Sequence, residues 1–95
     1  MRVTGTEGTI RVGGRLAARL TGWTLDRDPT ETWILDATAT EINAHWMKYT
    51  SEMVLCLHVG KQRWRWDELQ AGHNGEHITA TGTGKPEIRI VKNGT

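Results

Sequence analysis

The chain has 95 residues, of which 37% are hydrophobic, and twelve Lys and Arg against eleven Asp and Glu give it a formal charge of +1. This length supports a single domain, residues 1–95, and excludes two separate cores. The near balance of charge argues against a dedicated nucleic-acid binder, which normally carries a clear basic excess. We expect a soluble protein made in a cytoplasm, because we find no membrane-spanning apolar stretch and no signal peptide.

Tryptophan is expected to provide much of the core. The chain has five tryptophans and no phenylalanine, so a few large indoles must supply much of the buried area. A core of this kind is small, and self-association would add to its modest stability. Cys56 is the only cysteine, so no internal disulfide can form, and a reducing site of assembly is expected.

The first half of the chain predicts two β-hairpins. Residues 8–12 alternate apolar and polar side chains and are followed by two glycines, a strong hairpin signal. The segments 23–26 (WTLD) and 33–36 (WILD) resemble each other, and we interpret them as the two arms of a second hairpin. Pro29 is expected to fix the backbone of the turn between them.

Residues 40–50 differ from the rest of the chain. Ile42, Trp46 and Tyr49 have the spacing of one helical face, so this segment is either a short helix or a connecting turn. Residues 53–59 then carry apolar side chains on both faces, which predicts a strand in the interior of the sheet.

The last third of the chain predicts three more strands. A tight turn at Gly60 leads into residues 62–68, a stretch with the composition of a loop covers 70–76, and two strands follow on either side of Pro86. About seven short strands separated by turns predict an all-β fold, mainly antiparallel, in the form of a small sandwich or barrel.

The motif RWRW at residues 63–66 could belong to a strand that binds nucleic acid or to one that packs in the core. Alternation places Trp64 and Trp66 on one face and Arg63 and Arg65 on the other. Solvent-facing indoles would stack on the bases of single-stranded nucleic acid, whereas inward-facing indoles would build the core. We favour the core, since a chain without phenylalanine has few other large side chains to bury.

Two sets of residues follow from this interpretation. The core is expected to contain four tryptophans and four leucines: Trp23, Leu25, Trp33, Leu35, Leu55, Leu57, Trp64 and Trp66. The candidate contacts to neighbouring subunits are two aromatic residues and three arginines: Trp46, Tyr49, Arg63, Arg65 and Arg89. The polar terminal segments should fray in an isolated chain and become ordered against a neighbouring sheet.

The residues that could carry catalysis or bind a metal lack the surroundings for either. Ser51, the only serine, has no elbow motif, and Cys56 is interpreted as a small buried hydrophobe, although His58 shares its strand face. His73 and His77 have the spacing of some zinc ligands but span a Gly- and Asn-containing loop without further ligands. We therefore expect no enzymatic activity, no cofactor and no metal.

Residues 8–33 resemble the opening hairpins of bacteriophage tail-tube-type proteins. In that group a Gly-x-[VI]-x-[VI]-Gly-Gly strand leads to a second strand that ends in a Trp-[ST]-[LI]-[DE] step and an acidic stretch. The matching positions are Gly8, Ile10, Val12, Gly13, Leu16, Leu20, Trp23, Leu25 and Asp26. The chain is short for a tube subunit, and it has no recognisable long loop for gripping the next ring.

The resemblance implies a structural protein of the virion, made in the host cytoplasm, whose copies form rings around the DNA path. Its expected partners are further copies of itself and other virion proteins, with non-specific proximity to DNA. Capsid decoration proteins and head-tail connectors share this type of fold and are alternatives. A small β-barrel that binds single-stranded nucleic acid or a host protein is the alternative of another class.

Overall fold

The computed structural model describes residues 1–28 and 31–91, which form one antiparallel β-sheet. Its nine strands are β1 (Arg2–Gly5), β2 (Gly8–Val12), β3 (Arg15–Arg27), β4 (Thr32–Ile42), β5 (Met53–Val59), β6 (Gln62–Trp66), β7 (Leu69–Asn74), β8 (His77–Thr83) and β9 (Glu87–Ile90). The all-β class is thus confirmed, with nine strands in place of about seven. No helix in the described part of the chain is long and apolar enough to cross a membrane.

The strands are hydrogen-bonded in the order β7-β8-β4-β3-β2-β5-β6-β9, and β1 pairs with β3. The long strand β3 has two partners along one edge: its first half pairs with β2 and its second half with β1. Strand β4 pairs with its other edge. Strand β5 lies between β2 and β6, so the prediction of an interior strand over residues 53–59 is confirmed.

The sheet curls so that strands far apart in its order face each other. Trp33 on β4 and Trp66 on β6 are separated by three strands in the sheet, yet their ring centroids lie 5.0 Å apart. The two halves therefore enclose one core of buried side chains from all the strands between β7 and β6. A sheet of alternating residues has one apolar face, and this curvature removes that face from water.

The predicted hairpins are present. Gly13 and Gly14 form the turn between β2 and β3 with φ of 58° and 82°, a left-handed region that favours glycine. The WTLD and WILD segments are the paired arms of β3 and β4, with Leu25 opposite Leu35. Pro29 lies outside the described residues.

Residues 40–42 complete β4, and the residues that follow form a connecting turn and not an α-helix. After β4 the chain makes two short 3-10 turns, Trp46–Lys48 and Thr50–Glu52. The side chain of Asn43 accepts a hydrogen bond from the backbone N–H of His45 at 3.1 Å, which gives the backbone a local alternative to helical bonding. The helical spacing of Ile42, Trp46 and Tyr49 therefore does not reflect a helix. Ile42 and Trp46 are partly buried and pack individually against the core.

The stretch 70–76, predicted to be a loop, belongs mostly to a strand. Strand β7 pairs with β8 from Leu69 to Asn74, and only Gly75 and Glu76 form the turn. As an end strand of the sheet, β7 exposes most of its side chains, so its composition is as polar as that of a loop.

Both terminal segments that were expected to fray form strands of the chain's own sheet. Strand β1 pairs with β3, and the amino group of Met1 donates to the carbonyl of Arg27 at 2.8 Å. Strand β9 pairs with β6, and residues 92–95 lie outside the described part. The sheet already contains the partners that these polar segments need.

Candidate functional site

The eight tryptophans and leucines expected in the core are all buried. Trp64 and Trp66 are 8% and 4% exposed, and their indole N–H groups donate to Gln62 Oε1 at 3.0 Å and to the carbonyl of Gly84 at 3.1 Å. Base stacking needs an aromatic face open to solvent. These two indoles face the interior, where such stacking is blocked.

The arginines of the same strand lie on the outer face of the sheet. There, strands β2, β5, β6 and β9 form a half-open cavity of about 530 Å³. The charged and titratable residues that line it are Arg11, His58, Arg63, Arg65, Glu87 and Arg89. We call this surface the arginine face. Three of the candidate contact residues, Arg63, Arg65 and Arg89, are thereby brought together.

The strand register places two arginines side by side on the arginine face. Arg63 lies directly opposite His58 on one side and Arg89 on the other. Like charges in directly opposite positions of a sheet repel and lower stability. Glu87 offsets part of this repulsion, with contacts of 3.7 Å to Arg65 and 2.9 Å to Arg89.

Two arginines of this face have no carboxylate partner. Within residues 1–28 and 31–91, no carboxylate oxygen lies within 4 Å of a guanidinium nitrogen of Arg63 or Arg11. Arg11 donates instead to the carbonyl of Gly14 at 3.2 Å. The arginine face therefore keeps positive charge that its own side chains do not neutralise.

Two arginines elsewhere on the surface, Arg2 and Arg19, are paired with carboxylates. Arg2 contacts Asp26 at 3.0 Å and Arg19 contacts Glu41 at 3.4 Å. The hydrogen bond to the Asp26 carboxylate, together with its charge, raises the pKa of Arg2 above its ordinary value. These two arginines differ from Arg11 and Arg63 in local charge balance, although all four are exposed.

Cys56 is half-buried and lines the cavity of the arginine face. It lies opposite Thr9 on β2 and Arg65 on β6. The expectation that it is a buried hydrophobe is therefore wrong, because the outer face of β5 is covered only in part. His58 lies on the same face, as alternation predicts, and its Nδ1 is 3.9 Å from Glu7.

Trp46 and Tyr49, the other two candidate contact residues, lie in the turn between β4 and β5. Together with His45 they form an aromatic cluster with centroid distances of 4.9 to 6.0 Å. Trp46 is half-buried beneath the guanidinium of Arg15, whereas Tyr49 is 44% exposed. Of these two candidate contact residues, Tyr49 is the more accessible to a neighbour.

The histidines with zinc-like spacing are directed to different sides of the β7–β8 hairpin. His73 lies opposite Ile78, so that His77, the residue next to Ile78, projects from the other face. The Nε2 of His77 is 2.6 Å from Asp36. In the described part of the chain, no group of three or more His, Cys, Asp or Glu side chains could hold a metal ion.

Strand β9 exposes an apolar strip that sequence reasoning did not identify. Ile88 and Ile90 are 48% and 75% exposed, although Ile88 lies opposite Trp64 and thus on the core-facing side of the sheet. The alternation in EIRI predicts a strand, but it does not say that this strand ends the sheet. Residues 1–28 and 31–91 therefore leave one edge of its backbone and part of its apolar face uncovered.

No protein-family model matches the chain, and no curated protein or solved structure is significantly similar to it.

Proposed function

We propose that this chain is a non-enzymatic structural subunit that acts by joining copies of itself through strand β9. The open edge of β9, with the exposed side chains of Ile88 and Ile90, supports this function. Unpaired strand edges bind other strands unless charge, proline or a covering segment protects them. Strand β7, at the opposite end of the sheet, exposes no large hydrophobic side chain in the described residues.

The free hydrogen-bonding groups of β9 belong to the same two isoleucines. The N–H of Val91 donates to the carbonyl of Lys61 on the β6 side at 2.8 Å. Because backbone groups alternate in direction along a strand, Arg89 and Glu87 also bond towards β6. The N–H and C=O groups of Ile88 and Ile90 therefore point to the open edge.

A second copy of β9 fits this edge in one antiparallel register. A two-fold axis through Ile88 pairs it with Ile88 of the second copy and brings Ile90 opposite Pro86, whose carbonyl can accept from the Ile90 N–H but which has no N–H to donate in return. On the outer face, Glu87 then lies opposite Arg89 of the second copy, and Arg89 opposite its Glu87. The interface thus contains two attractive cross-strand charge pairs, related by the two-fold axis.

The neighbouring registers place like charges in direct opposition. Moving the axis to Arg89 pairs the two Arg89 side chains, and moving it to Glu87 pairs two carboxylates. Such pairs are destabilising. Charge therefore favours the register centred on Ile88, which keeps both isoleucines of each copy on the inner side of a continuous sheet.

The resemblance of residues 8–33 supports a place for this assembly in a bacteriophage virion. These residues form β2, β3 and the start of β4, and they would belong to a tail-tube-type subunit around the DNA path. Other virion proteins would then be its neighbours. A capsid decoration protein or head-tail connector would use the same edge pairing.

We expect Ile88→Lys to abolish self-association. A lysine at this site places a charge in the centre of the paired edge, which is one way in which natural edge strands avoid association. Size-exclusion chromatography with light scattering should give a mass of at least twice 10.7 kDa for the parent chain and 10.7 kDa for the variant. Circular dichroism should give the same spectrum for both.

Ile34→Lys is the matched control, because Ile34 is exposed to a similar extent (54%) but lies on β4, which has a paired strand on each side. Its mass should equal that of the parent chain. If Ile88→Lys kept the parent mass, or if the parent chain were monomeric, the proposed interface would be wrong.

The register predicts that reversing the charge of Glu87 alone weakens dimerisation, and that exchanging the charges of Glu87 and Arg89 together restores it. Glu87→Arg places two arginines opposite each other at both ends of the interface, which should weaken dimerisation by about 5- to 150-fold. The double variant Glu87→Arg/Arg89→Glu re-creates both pairs and should return the Kd to within about threefold of the parent value. Sedimentation velocity over a concentration series measures both constants, and a double variant as weak as the single one would contradict the register.

A further inference from the structure

We propose that the arginine face binds the phosphodiester backbone of nucleic acid through phosphate contacts alone. This surface lies on the outer side of β2, β5, β6 and β9, and its use does not depend on pairing of the β9 edge. The inference goes beyond the structural role and concerns a separate group of side chains.

The charge of the face calls for an external anion. Four arginines and a single glutamate line the cavity among the described residues, which leaves a formal charge of +3 with His58 neutral. The chain as a whole carries only +1, so positive charge is concentrated here. An anion over Arg63 and Arg89 would relieve the repulsion that their direct cross-strand opposition creates.

The cationic groups of the face are guanidinium groups, and these favour phosphate as the partner. A guanidinium presents a planar set of donors that matches the oxygens of phosphate and carboxylate. Arg11 and Arg63, which lack carboxylate partners in the described residues, keep these donors available. Arg65 and Arg89 share Glu87 and can exchange it for a phosphate on the same surface.

The spread of the arginines favours a polymer over a single phosphate ion. They lie on β2, β6 and β9, and the distance from β2 to β9 across three strand spacings is about 14 Å. A nucleic-acid strand presents a phosphate at about every 3.4 Å of helix axis, so several phosphates face this width. One phosphate ion would reach only some of the arginines.

The surroundings predict binding without readout of base sequence. No tryptophan or tyrosine lines the cavity in the described part of the chain, and Trp64 and Trp66 project to the opposite side of β6. Contacts to phosphate position a protein on nucleic acid but carry no sequence information. Binding should therefore be independent of sequence and strongly dependent on salt.

Fluorescence anisotropy of a labelled 20-nucleotide DNA of mixed sequence tests the proposal with the full chain. The parent chain should bind, and its affinity should fall steeply between 50 and 200 mM salt, within the range of non-specific binding. Arg11→Ala/Arg63→Ala should weaken binding about tenfold or more and reduce the slope of log K against log salt by about 2, one for each lost phosphate contact.

Arg2→Ala/Lys48→Ala is the control, since it removes the same net charge from exposed residues that do not line the cavity. Its affinity should stay within about threefold of the parent value, because the two sites contact no phosphate. Equal loss in both double variants would overturn the proposal, as it would show a general charge effect.

Two competitors identify the ligand class. Inorganic phosphate at the same ionic strength should not displace the DNA, whereas displacement by a few millimolar phosphate would indicate a single-ion site and overturn the polymer assignment. Polyglutamate of equal charge should bind more weakly, and binding as tight as that of DNA would indicate an acidic protein partner instead. Ile88→Lys, measured in the same assay, should still bind DNA as a single chain, although less tightly than the assembled parent. Complete loss of binding would show that the site requires the β9 interface and would overturn its independence.

Discussion

Replacement of Trp64 by alanine is expected to lower the free energy of unfolding by about 3–5 kcal/mol, as in other truncations of large core side chains. The indole is nearly buried, its ring centroid lies 6.2 Å from that of Trp66, and its N–H donates to Gln62. Alanine would leave a cavity between the two halves of the sheet. Equilibrium denaturation in urea, followed by circular dichroism, measures the change.

Arg63→Ala is the neighbouring control on the same strand. Its side chain projects into solvent and has no carboxylate partner among the described residues, so the change in stability should be within about 0.5 kcal/mol. It also removes one of two opposed arginines, which acts in the stabilising direction. If Arg63→Ala were the more damaging variant, the assignment of the two faces of β6 would be wrong.

Gly82→Ala is expected to lower the free energy of unfolding by about 1–3 kcal/mol, since it overfills a packed site. A Cβ at this position would lie 2.7 Å from Cε2 of Trp33 and 2.9 Å from the carbonyl oxygen of Glu68, with Trp33 Cζ2 closer still. Trp33 is fully buried and packs against Trp66, so its ring has little room to move. Thermal unfolding should show a lower midpoint.

Gly72→Ala, in the same hairpin, is the matched change without a clash. No heavy atom beyond its chain neighbours lies within 4 Å of the position of its Cβ, so the added methyl group meets open space. Stability should remain the same or rise slightly, because alanine restricts the unfolded chain. Equal destabilisation by the two substitutions would show that the loss comes from strand glycines in general and not from the contact with Trp33.

Features set by near neighbours in the chain could be predicted from the sequence. Alternation along β6 places Trp64 and Trp66 on one face and the arginines on the other, because successive residues of a strand point to opposite sides. The glycine pair after Val12 and the glycine before Lys61 mark turns whose geometry depends on two residues. Strand β7 could not be predicted from its composition, because an exposed strand needs few apolar residues.

Features set by strand order could not be predicted in this way. Arg11 on β2 and Arg89 on β9 line one cavity only because β5 and β6 lie between their strands and the sheet curves. Residues so distant in the chain have no common pattern in the sequence. The same holds for the exposure of Ile88, since a strand of the same composition in the sheet interior would be covered.

The two proposed surfaces meet at β9. Glu87 and Arg89 face the cavity and also occupy the outer side of the open edge. In the register centred on Ile88, Glu87 contacts Arg89 of the second copy, and the arginine faces of the two copies become neighbours. We therefore expect nucleic acid to bind an assembled pair more tightly than a single chain, by placing more arginines along one backbone.

Amide hydrogen exchange at β9 tests the edge-pairing account most directly. In dilute, monomeric protein, the N–H groups of Ile88 and Ile90 should exchange fast, while those of Arg89 and Val91, bonded towards β6, exchange slowly. As concentration rises and copies pair, the two isoleucine amides should become protected. Fast exchange at Ile88 and Ile90 in protein that light scattering shows to be assembled would place the interface elsewhere and contradict the account.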